Sequence, residues 1–337
     1  MKNLKELFAK FKFKILILYY RYFPFSEWPV SSFATIDVSN ICNLKCPLCP
    51  TGLNILKYKR QFMSLENFKI ILGKLPKKVR YLLLYNWGEP FLNPDIIDII
   101  KFAKQRKKYL FIDSNFSFDK KEEFFKNLIK SGLDELKLSI DGASQETYSK
   151  YRQGGNYNLV ISNLEKLIKW KKKLKSKKPK IIWKFIVNRF NEDEIPKAQT
   201  ICNTLGIEFK TDKIGLGDSL PDCHIKTSLK ERKKYWLPKN EKYIYKYYTG
   251  KYKRLFNDSL CLYLFNNIFI NPDGKVFPCC LLTDKKNIFG DLNKDSFEKI
   301  WQNEKYRSAR NLFIKKISLP DKEIVCRQCH NFKKGKI

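Results

Sequence analysis

Histidine, acidic residues and long apolar runs are all scarce in this sequence. Its two histidines, His224 and His330, lie far from the cysteines that cluster near residue 45, so histidine is not indicated as a zinc ligand there. No apolar run reaches the roughly 18 residues of a membrane-spanning helix. The apolar run at residues 15–20 ends at Arg21 without a small-residue cleavage site, which argues against a signal peptide.

The lack of a signal peptide leads us to expect a cytoplasmic protein, in which thiols stay reduced. Ten cysteines then indicate metal chemistry rather than disulfides. Residues 1–32 are basic and aromatic, and two interpretations of them stay open. They form either a helix that packs on the main domain or one that lies on an anionic membrane surface.

The charge is strongly one-sided, with 67 basic and 34 acidic residues and a formal net charge of +33. Lysine far outnumbers arginine and is spread along the chain, and the only dense block is at residues 169–180. Specific nucleic-acid sites rely on arginine and clustered aromatic residues, so a nucleic-acid partner is not favoured. A solvated, lysine-rich surface is the simpler interpretation, and it favours anionic substrates such as nucleotide-linked molecules.

Strand-like and helix-like segments alternate six times between residues 33 and 217, which predicts an α/β fold with parallel strands. This region is shorter than the roughly 250 residues of an eight-fold barrel, so we expect a partial (β/α)6 TIM-like barrel or an open sheet. Ligands gather at the carboxyl ends of the strands in both. The predicted strands are 33–39, 79–86, 109–115, 135–141, 180–188 and 207–215, and the helices 64–75, 94–107, 120–132, 157–173 and 193–206.

The alternation stops after residue 217. Residues 218–260 are polar and rich in tyrosine, and we interpret them as a connecting segment. Residues 261–337 form a small C-terminal domain. In it, two apolar runs around a Pro-Asp-Gly turn predict a hairpin at 267–280, and a capped pattern predicts one helix at 295–313.

Three cysteines lie directly after the first predicted strand. Cys42, Cys46 and Cys49 stand within eight residues, at the end of the strand where such folds place their chemistry. Three thiolates leave one position open, which is typical of a catalytic iron–sulfur cluster with one free iron. A structural zinc ion that takes a remote fourth ligand is the alternative.

The C-x3-C-x2-C spacing in "CNLKCPLC", placed after a first strand, resembles the radical S-adenosylmethionine (SAM) superfamily. The resemblance implies that the three cysteines hold a [4Fe-4S] cluster whose open iron binds SAM. It also implies that an electron donor such as flavodoxin or ferredoxin reduces this cluster. Cleavage of SAM would then give a radical that removes a hydrogen atom from the substrate.

Further positions match the family. "NWGEP" at residues 86–90 resembles its GGEP motif, with Trp87 in place of the first glycine. The resemblance implies that Glu89 holds the SAM ammonium group and that Arg152 and Ser139 lie near the SAM carboxylate or ribose. The full set of cofactor-binding positions expected from it is Gly88, Glu89, Pro90, Ser114, Asn115, Ser139, Asp141, Arg152 and Asn188.

The C-terminal domain has a second set of cysteines, and "GKVFPC" with "CRQC" resembles the SPASM/twitch domains that bind auxiliary [4Fe-4S] clusters. The number of cysteines suits one cluster, although zinc is an alternative. Either Cys279 or Cys280 would serve, and the spacing favours Cys279. Cys202 and Cys223 belong to neither set, and His330 is expected to be a neighbour. The expected ligands are Cys261, Cys279, Cys326 and Cys329.

These features together predict a SAM-dependent radical oxidoreductase. Its substrate would be a carbohydrate, an aminocyclitol or a peptide, and the auxiliary cluster would accept the electron that the oxidation releases. Two alternatives stay open. One is radical modification or maturation of RNA or protein, and the other is a non-catalytic scaffold that holds a cluster or zinc at a membrane surface.

Overall fold

A computed structural model describes most of the chain. The described residues are 32–218, 220–222, 225–249, 261, 263–314 and 324–329. The predicted N-terminal helix therefore lies outside them, apart from residue 32, as do Cys223, His224, His330 and residues 250–260. Within the described part of the chain, no helix is both long and apolar enough to cross a membrane.

The described strands form one continuous sheet in the order β6-β5-β4-β3-β2-β1-β7-β8-β9. Strands β1 to β6 are all parallel, which confirms the predicted alternation. The strands are β1 (Phe33–Ile36), β2 (Tyr81–Leu83), β3 (Tyr109–Ser114), β4 (Glu135–Ser139), β5 (Lys180–Val187), β6 (Glu208–Lys213), β7 (Asn267–Ile270), β8 (Lys275–Phe277) and β9 (Gly290–Asp291).

Helices connect the parallel strands, and side-chain caps begin many of them. The Ser64 side chain accepts a hydrogen bond from the Asn67 amide at the start of α1. The Asn156 side chain accepts one from the Leu159 amide at the start of α5. The helices are α1 (Leu65–Lys74), α2 (Ile96–Gln105), α3 (Glu122–Lys130), α4 (Gln145–Tyr151), α5 (Tyr157–Lys173), α6 (Ile195–Leu205), α7 (Leu229–Trp236), α8 (Tyr263–Asn266), α9 (Phe297–Trp301) and α10 (Glu304–Ile314).

The C-terminal hairpin extends the main sheet. Strand β7 pairs in parallel with β1 along its whole length, and β8 then returns antiparallel to β7, as the predicted turn requires. Buried apolar residues of β1 and β7, such as Ala34 and Ile268, belong to the same core. The first strand therefore has strands β2 to β6 on one side and the C-terminal strands on the other.

The prediction of one continuous helix at 295–313 is wrong, because the structure has two helices there, α9 and α10. Ser296 caps the first, as predicted. Asn303 interrupts the pattern: its side-chain oxygen accepts a hydrogen bond from the Tyr306 amide at 3.0 Å, which is the geometry of a new N-cap. Its amide group also donates to the Phe289 carbonyl at 2.7 Å and so fixes the junction to the residue before β9.

Candidate active site and cysteine-rich tail

The three cysteines after β1 line a cavity of about 280 Å³ at the carboxyl ends of the strands. Their loop folds back tightly, and the Cys49 amide donates to the Cys46 carbonyl at 3.2 Å. Gly52 makes this possible, because a Cβ atom there would lie 2.5 Å from the backbone nitrogen and oxygen of Cys46. The structure thus brings together the three thiols that the sequence predicts.

The loop after β2 places a carboxylate beside them. Gly88 lies so close to the chain after β1 that a Cβ would be 1.9 Å from the Ser39 carbonyl oxygen, so only glycine is accommodated. Glu89 is buried, and its two oxygens accept hydrogen bonds from the Ser114 hydroxyl at 2.8 Å and the Asn115 amide at 2.7 Å. Burial raises the pKa of Glu89 to about 7 in spite of these bonds.

Arg152 is a positive group beside the cysteines of this cavity. Its Nε donates to Asp141 Oδ2 at 2.6 Å, and its Nη1 lies 3.9 Å from the Cys46 sulfur. Burial raises the pKa of Cys46 to about 11, although Arg152 acts in the opposite direction. Burial, followed by the charge of Glu89, raises the pKa of Cys42 to about 12. These thiols therefore need a bound cation to be thiolates at neutral pH, which is what an iron site provides.

Other predicted residues divide into two groups. Ser139 lines the cavity, whereas Pro90, Asp141 and Asn188 do not. Pro90 begins a short 3₁₀ turn, and Asp141 reaches the site through Arg152. Asn188 shapes the turn after β5, where its side-chain oxygen accepts a hydrogen bond from the Phe190 amide at 2.9 Å. Cofactor contact by these three residues stays a prediction.

Sequence reasoning missed a polar group on the inner face of the sheet. Asp113 of β3 accepts a hydrogen bond from Ser139 at 2.6 Å and forms an ion pair with Lys184 of β5. The register places Ser139 directly opposite Lys184. Tyr85 also lines this cavity. Strand alternation could have identified Lys184, because Ile186, which also lines the cavity, lies two residues further along the same strand.

The tail cysteines line a second, much smaller cavity of about 30 Å³. Its lining includes Cys261, Cys279, Cys326 and Cys329, and it does not include Cys280. The Cys280 thiol is instead hydrogen-bonded to the Tyr263 side chain. Among the described residues, no three Cys, His, Asp or Glu side chains lie close enough to hold a single metal ion. The four expected cysteines therefore surround one small cavity, but they are not arranged around a single metal ion.

Burial also dominates the chemistry of these tail thiols. It raises the pKa of Cys261 to about 12, against the Leu264 backbone hydrogen bond. It also raises the pKa of Cys279 and Cys326 well above the usual range, with neighbouring thiols as the next cause. The remaining lining is apolar and includes Leu264 and Phe313. Buried thiols gathered in apolar surroundings suit a metal cluster that neutralises all of them.

Direct contacts join the two cysteine sites. The Trp87 indole, in the loop that carries Glu89, donates to the Leu282 carbonyl at 3.2 Å. The Lys57 amide donates to the Thr283 carbonyl at 2.8 Å, and its side chain pairs with Asp284 at 3.2 Å. The tail residues that follow Cys279 and Cys280 are therefore held against both loops of the first site.

Two family models match separate parts of the chain, and together they cover more than half of it. Residues 36–175 match the radical SAM superfamily, and residues 261–330 match SPASM, an iron–sulfur cluster-binding domain. The chain belongs to the radical SAM superfamily. It is a radical SAM enzyme. Its core domain binds a [4Fe-4S] cluster and SAM, and its C-terminal SPASM domain binds auxiliary iron–sulfur clusters.

Curated relatives of this radical SAM enzyme carry out different reactions. A GTP 3',8-cyclase from Limosilactobacillus fermentum is 29% identical over 136 residues. That match covers 39% of this chain and only 40% of the cyclase. A tungsten-containing aldehyde ferredoxin oxidoreductase cofactor-modifying protein from Pyrococcus furiosus is 23% identical over 304 residues, 80% of this chain and 81% of the relative.

Solved structures support the fold. Streptococcus suis SuiB bound to S-adenosylmethionine aligns with a TM-score of 0.60 and 16% identity, over 90% of this chain and 72% of SuiB. The protein anSMEcpe with bound AdoMet aligns with a TM-score of 0.57 and 17% identity, over 82% of this chain and 81% of its own. These similarities confirm the partial barrel with its C-terminal extension.

Proposed function

We propose that this radical SAM enzyme oxidises a carbon that bears a hydroxyl or amino group, and that the tail carries away the released electron. The observation that supports this most is the pairing of two unlike cysteine sites in direct contact. One is a polar cavity of about 280 Å³ with three thiols, and the other is an apolar cavity of about 30 Å³ with four. A set of four ligands leaves no iron open for chemistry, which suits an electron carrier.

Each group around the first cavity then has a role. Cys42, Cys46 and Cys49 would hold the cluster. The Glu89 carboxylate would accept a charge-assisted hydrogen bond from the SAM ammonium group. Arg152, held by Asp141, would orient the SAM carboxylate. When bound, the reduced cluster and SAM supply the radical that removes one hydrogen atom from the substrate carbon.

The oxidation also releases one proton and one electron, because a CH–OH group becomes C=O by losing two hydrogens. Asp113 is the cavity carboxylate that we assign to accept that proton, because Glu89 is already assigned to the SAM ammonium group. Lys184 and Ser139 fix the orientation of Asp113. A positioned base of this kind contributes roughly 10²-fold or more to rate.

The electron would pass to a cluster held by Cys261, Cys279, Cys326 and Cys329. The Trp87–Leu282 hydrogen bond supports this route, because it joins the loop of Glu89 to the cysteine-rich tail. The choice of Cys279 over Cys280 is supported by the lining of the small cavity. We also propose a cytoplasmic location and reduction by a flavodoxin or ferredoxin.

The substrate class we favour is a carbohydrate or aminocyclitol, because the inward face of β3 to β5 presents Asp113, Ser139 and Lys184 to it. A peptide is the second candidate, and one solved relative, SuiB, is known in complex with a precursor peptide. Modification of RNA or protein is the alternative reaction.

The test is anaerobic incubation of the reconstituted enzyme with SAM, a reductant and panels of sugar alcohols, nucleotide-linked sugars and peptides. We expect one class to stimulate 5′-deoxyadenosine formation and to lose two hydrogens per turnover. Deuterium at the oxidised carbon should appear in 5′-deoxyadenosine. A product that gains a new bond without losing two hydrogens would contradict the proposed oxidation.

A further inference from the structure

A second large cavity, of about 840 Å³, lies on the outer side of the cysteine loop. Pro47 and Leu48 form part of one wall, and α7 with the segment before it forms the opposite wall. The thiols that flank these two residues, Cys46 and Cys49, line the active-site cavity instead. The same short loop therefore borders both cavities, so a ligand in the outer cavity contacts the loop that carries the active-site thiols.

Arg232 is an unusual lining residue of this outer cavity. It is only 8% exposed. Its Nη1 donates to the carbonyl oxygens of Thr227 and Ile225, whereas its Nε has no hydrogen-bond partner in the described part of the chain. Burial makes an uncompensated guanidinium charge costly, and Arg232 lines the cavity, so an anionic ligand there would lie beside that charge.

The charges around the cavity agree with an anionic ligand. Arg189, Lys226 and Lys234 join Arg232 in its lining, against the carboxylate of Glu231. That carboxylate is committed to the capping box of α7, where it accepts hydrogen bonds from the amide and hydroxyl of Ser228, both at 2.7 Å. The cavity thus keeps a net positive lining that attracts phosphate or carboxylate.

The remaining wall is aromatic. The rings of Phe190, Tyr235 and Trp236 lie 5.0–5.6 Å from one another. Tyr235 is 55% exposed although it belongs to this cluster, so one of its surfaces is available to a ligand. Aromatic faces of this kind bind other planar rings by stacking.

We propose that this outer cavity binds a nucleoside diphosphate group. The phosphates would contact Arg232 and the neighbouring lysines, and the base would stack in the aromatic wall. The volume lies within the usual 300–1,000 Å³ of small-molecule sites. The inference rests on the proposed function in one respect: we take the nucleoside diphosphate to be part of a nucleotide-linked sugar substrate. Binding of the nucleoside diphosphate requires no cleavage of SAM.

The experiment is isothermal titration of the reconstituted holoenzyme with UDP, alongside uridine, inorganic pyrophosphate and a short acidic, tyrosine-containing peptide. We expect UDP to bind more tightly than either of its parts and than the peptide. Replacing both Lys226 and Lys234 by alanine should weaken UDP binding about ten-fold or more, and Tyr235→Ala should weaken it several-fold. Lys230→Ala is the matched control on the same helix, since Lys230 is exposed and does not line the cavity.

Arg232→Gln tests the buried guanidinium and should also weaken UDP binding. If the Arg232→Gln protein folds poorly, the variants of the exposed residues Lys226, Lys234 and Tyr235 still test the proposal. Tighter binding of the acidic peptide than of UDP would overturn the proposal, as would UDP binding that the lysine and tyrosine variants leave unchanged. Absence of UDP binding by a holoenzyme that still binds SAM would also overturn it. Such a failure would leave the proposed oxidation standing, because SAM cleavage and substrate oxidation are measured separately.

Discussion

The two cysteine sites differ in the number of thiols, in the volume of the cavity and in the polarity of its lining. The first has three thiols in a polar cavity lined by Glu89, Arg152 and Asp113, with space for a further ligand. The second has four thiols around a cavity of about 30 Å³ whose remaining lining is apolar. Space and polar groups make the first suitable for substrate chemistry, whereas apolar enclosure suits the second to holding or passing an electron.

The largest expected effect comes from the first site. Cys42→Ala should lower the iron content after anaerobic reconstitution from about eight to about four per chain and abolish 5′-deoxyadenosine formation. Cys202→Ala is the matched control, because Cys202 is buried but lines neither cavity. Retention of SAM cleavage in Cys42→Ala would show that the open site lies elsewhere.

The corresponding change in the second site should separate the two functions. Cys326→Ala should also remove about four irons, but the remaining cluster should still cleave SAM when a chemical reductant is supplied. Oxidised product should fall strongly relative to 5′-deoxyadenosine. Cys280→Ala serves as the control and should keep both the iron content and the product yield, since Cys280 does not line the cavity. Full product yield from Cys326→Ala would contradict an electron-accepting role.

Sequence reasoning reached these two sites to different depths. Spacing grouped Cys42, Cys46 and Cys49, which stand close together in sequence. The four tail cysteines are far apart, and their resemblance to a known cluster-binding domain grouped them. Neither signal could find the Asp113–Lys184 ion pair, which joins residues on two strands that are 71 positions apart. The sheet order that brings them together depends on packing of the whole core, and that is set by many weak contacts rather than by a motif.

The contacts between the two sites could not be predicted from the sequence either. Trp87 looks like a departure from the family motif in the sequence, yet in the structure its indole contacts Leu282, 195 positions away. The break between α9 and α10 depends on the contact of Asn303 with Phe289, the residue before β9. Local periodicity carries no information about such long-range partners.

A buried carboxylate under the first site should make stability depend on pH. Burial raises the pKa of Asp37 from 3.8 to about 7, and its Oδ2 accepts a hydrogen bond from the Trp87 amide at 3.2 Å. Between these two pKa values the folded chain holds a proton that the unfolded chain has lost. The contribution of Asp37 to stability therefore falls as pH rises toward about 7 and is constant above it.

Asp37→Asn removes that titration and keeps a hydrogen-bond acceptor. The difference in Tm between the variant and the natural protein should shift in favour of the variant by several degrees from about pH 5 to about pH 8. Thermal unfolding at both pH values measures this. The exposed Asp98→Asn on α2 should show no such pH-dependent difference. An equal difference at both pH values would mean that Asp37 stays charged in the folded protein.

The smallest expected effect concerns the contact between the sites. Trp87→Phe keeps an aromatic ring but removes the indole N–H that donates to Leu282. Iron content and SAM affinity should be unchanged, while the ratio of oxidised product to 5′-deoxyadenosine should fall a few-fold, because a lost hydrogen bond costs about 1 kcal/mol. A loss of iron in this variant would instead assign Trp87 to assembly of the clusters.

The most direct test of the account is whether SAM changes the electron paramagnetic resonance spectrum of one cluster and not the other. Two reduced proteins are compared with and without SAM, Cys326→Ala and the triple alanine variant of Cys42, Cys46 and Cys49. The account predicts a SAM-dependent change of the signal in Cys326→Ala and none in the triple variant. A SAM-dependent signal in the triple variant, or its absence from Cys326→Ala, would contradict the assignment of one open and one closed site.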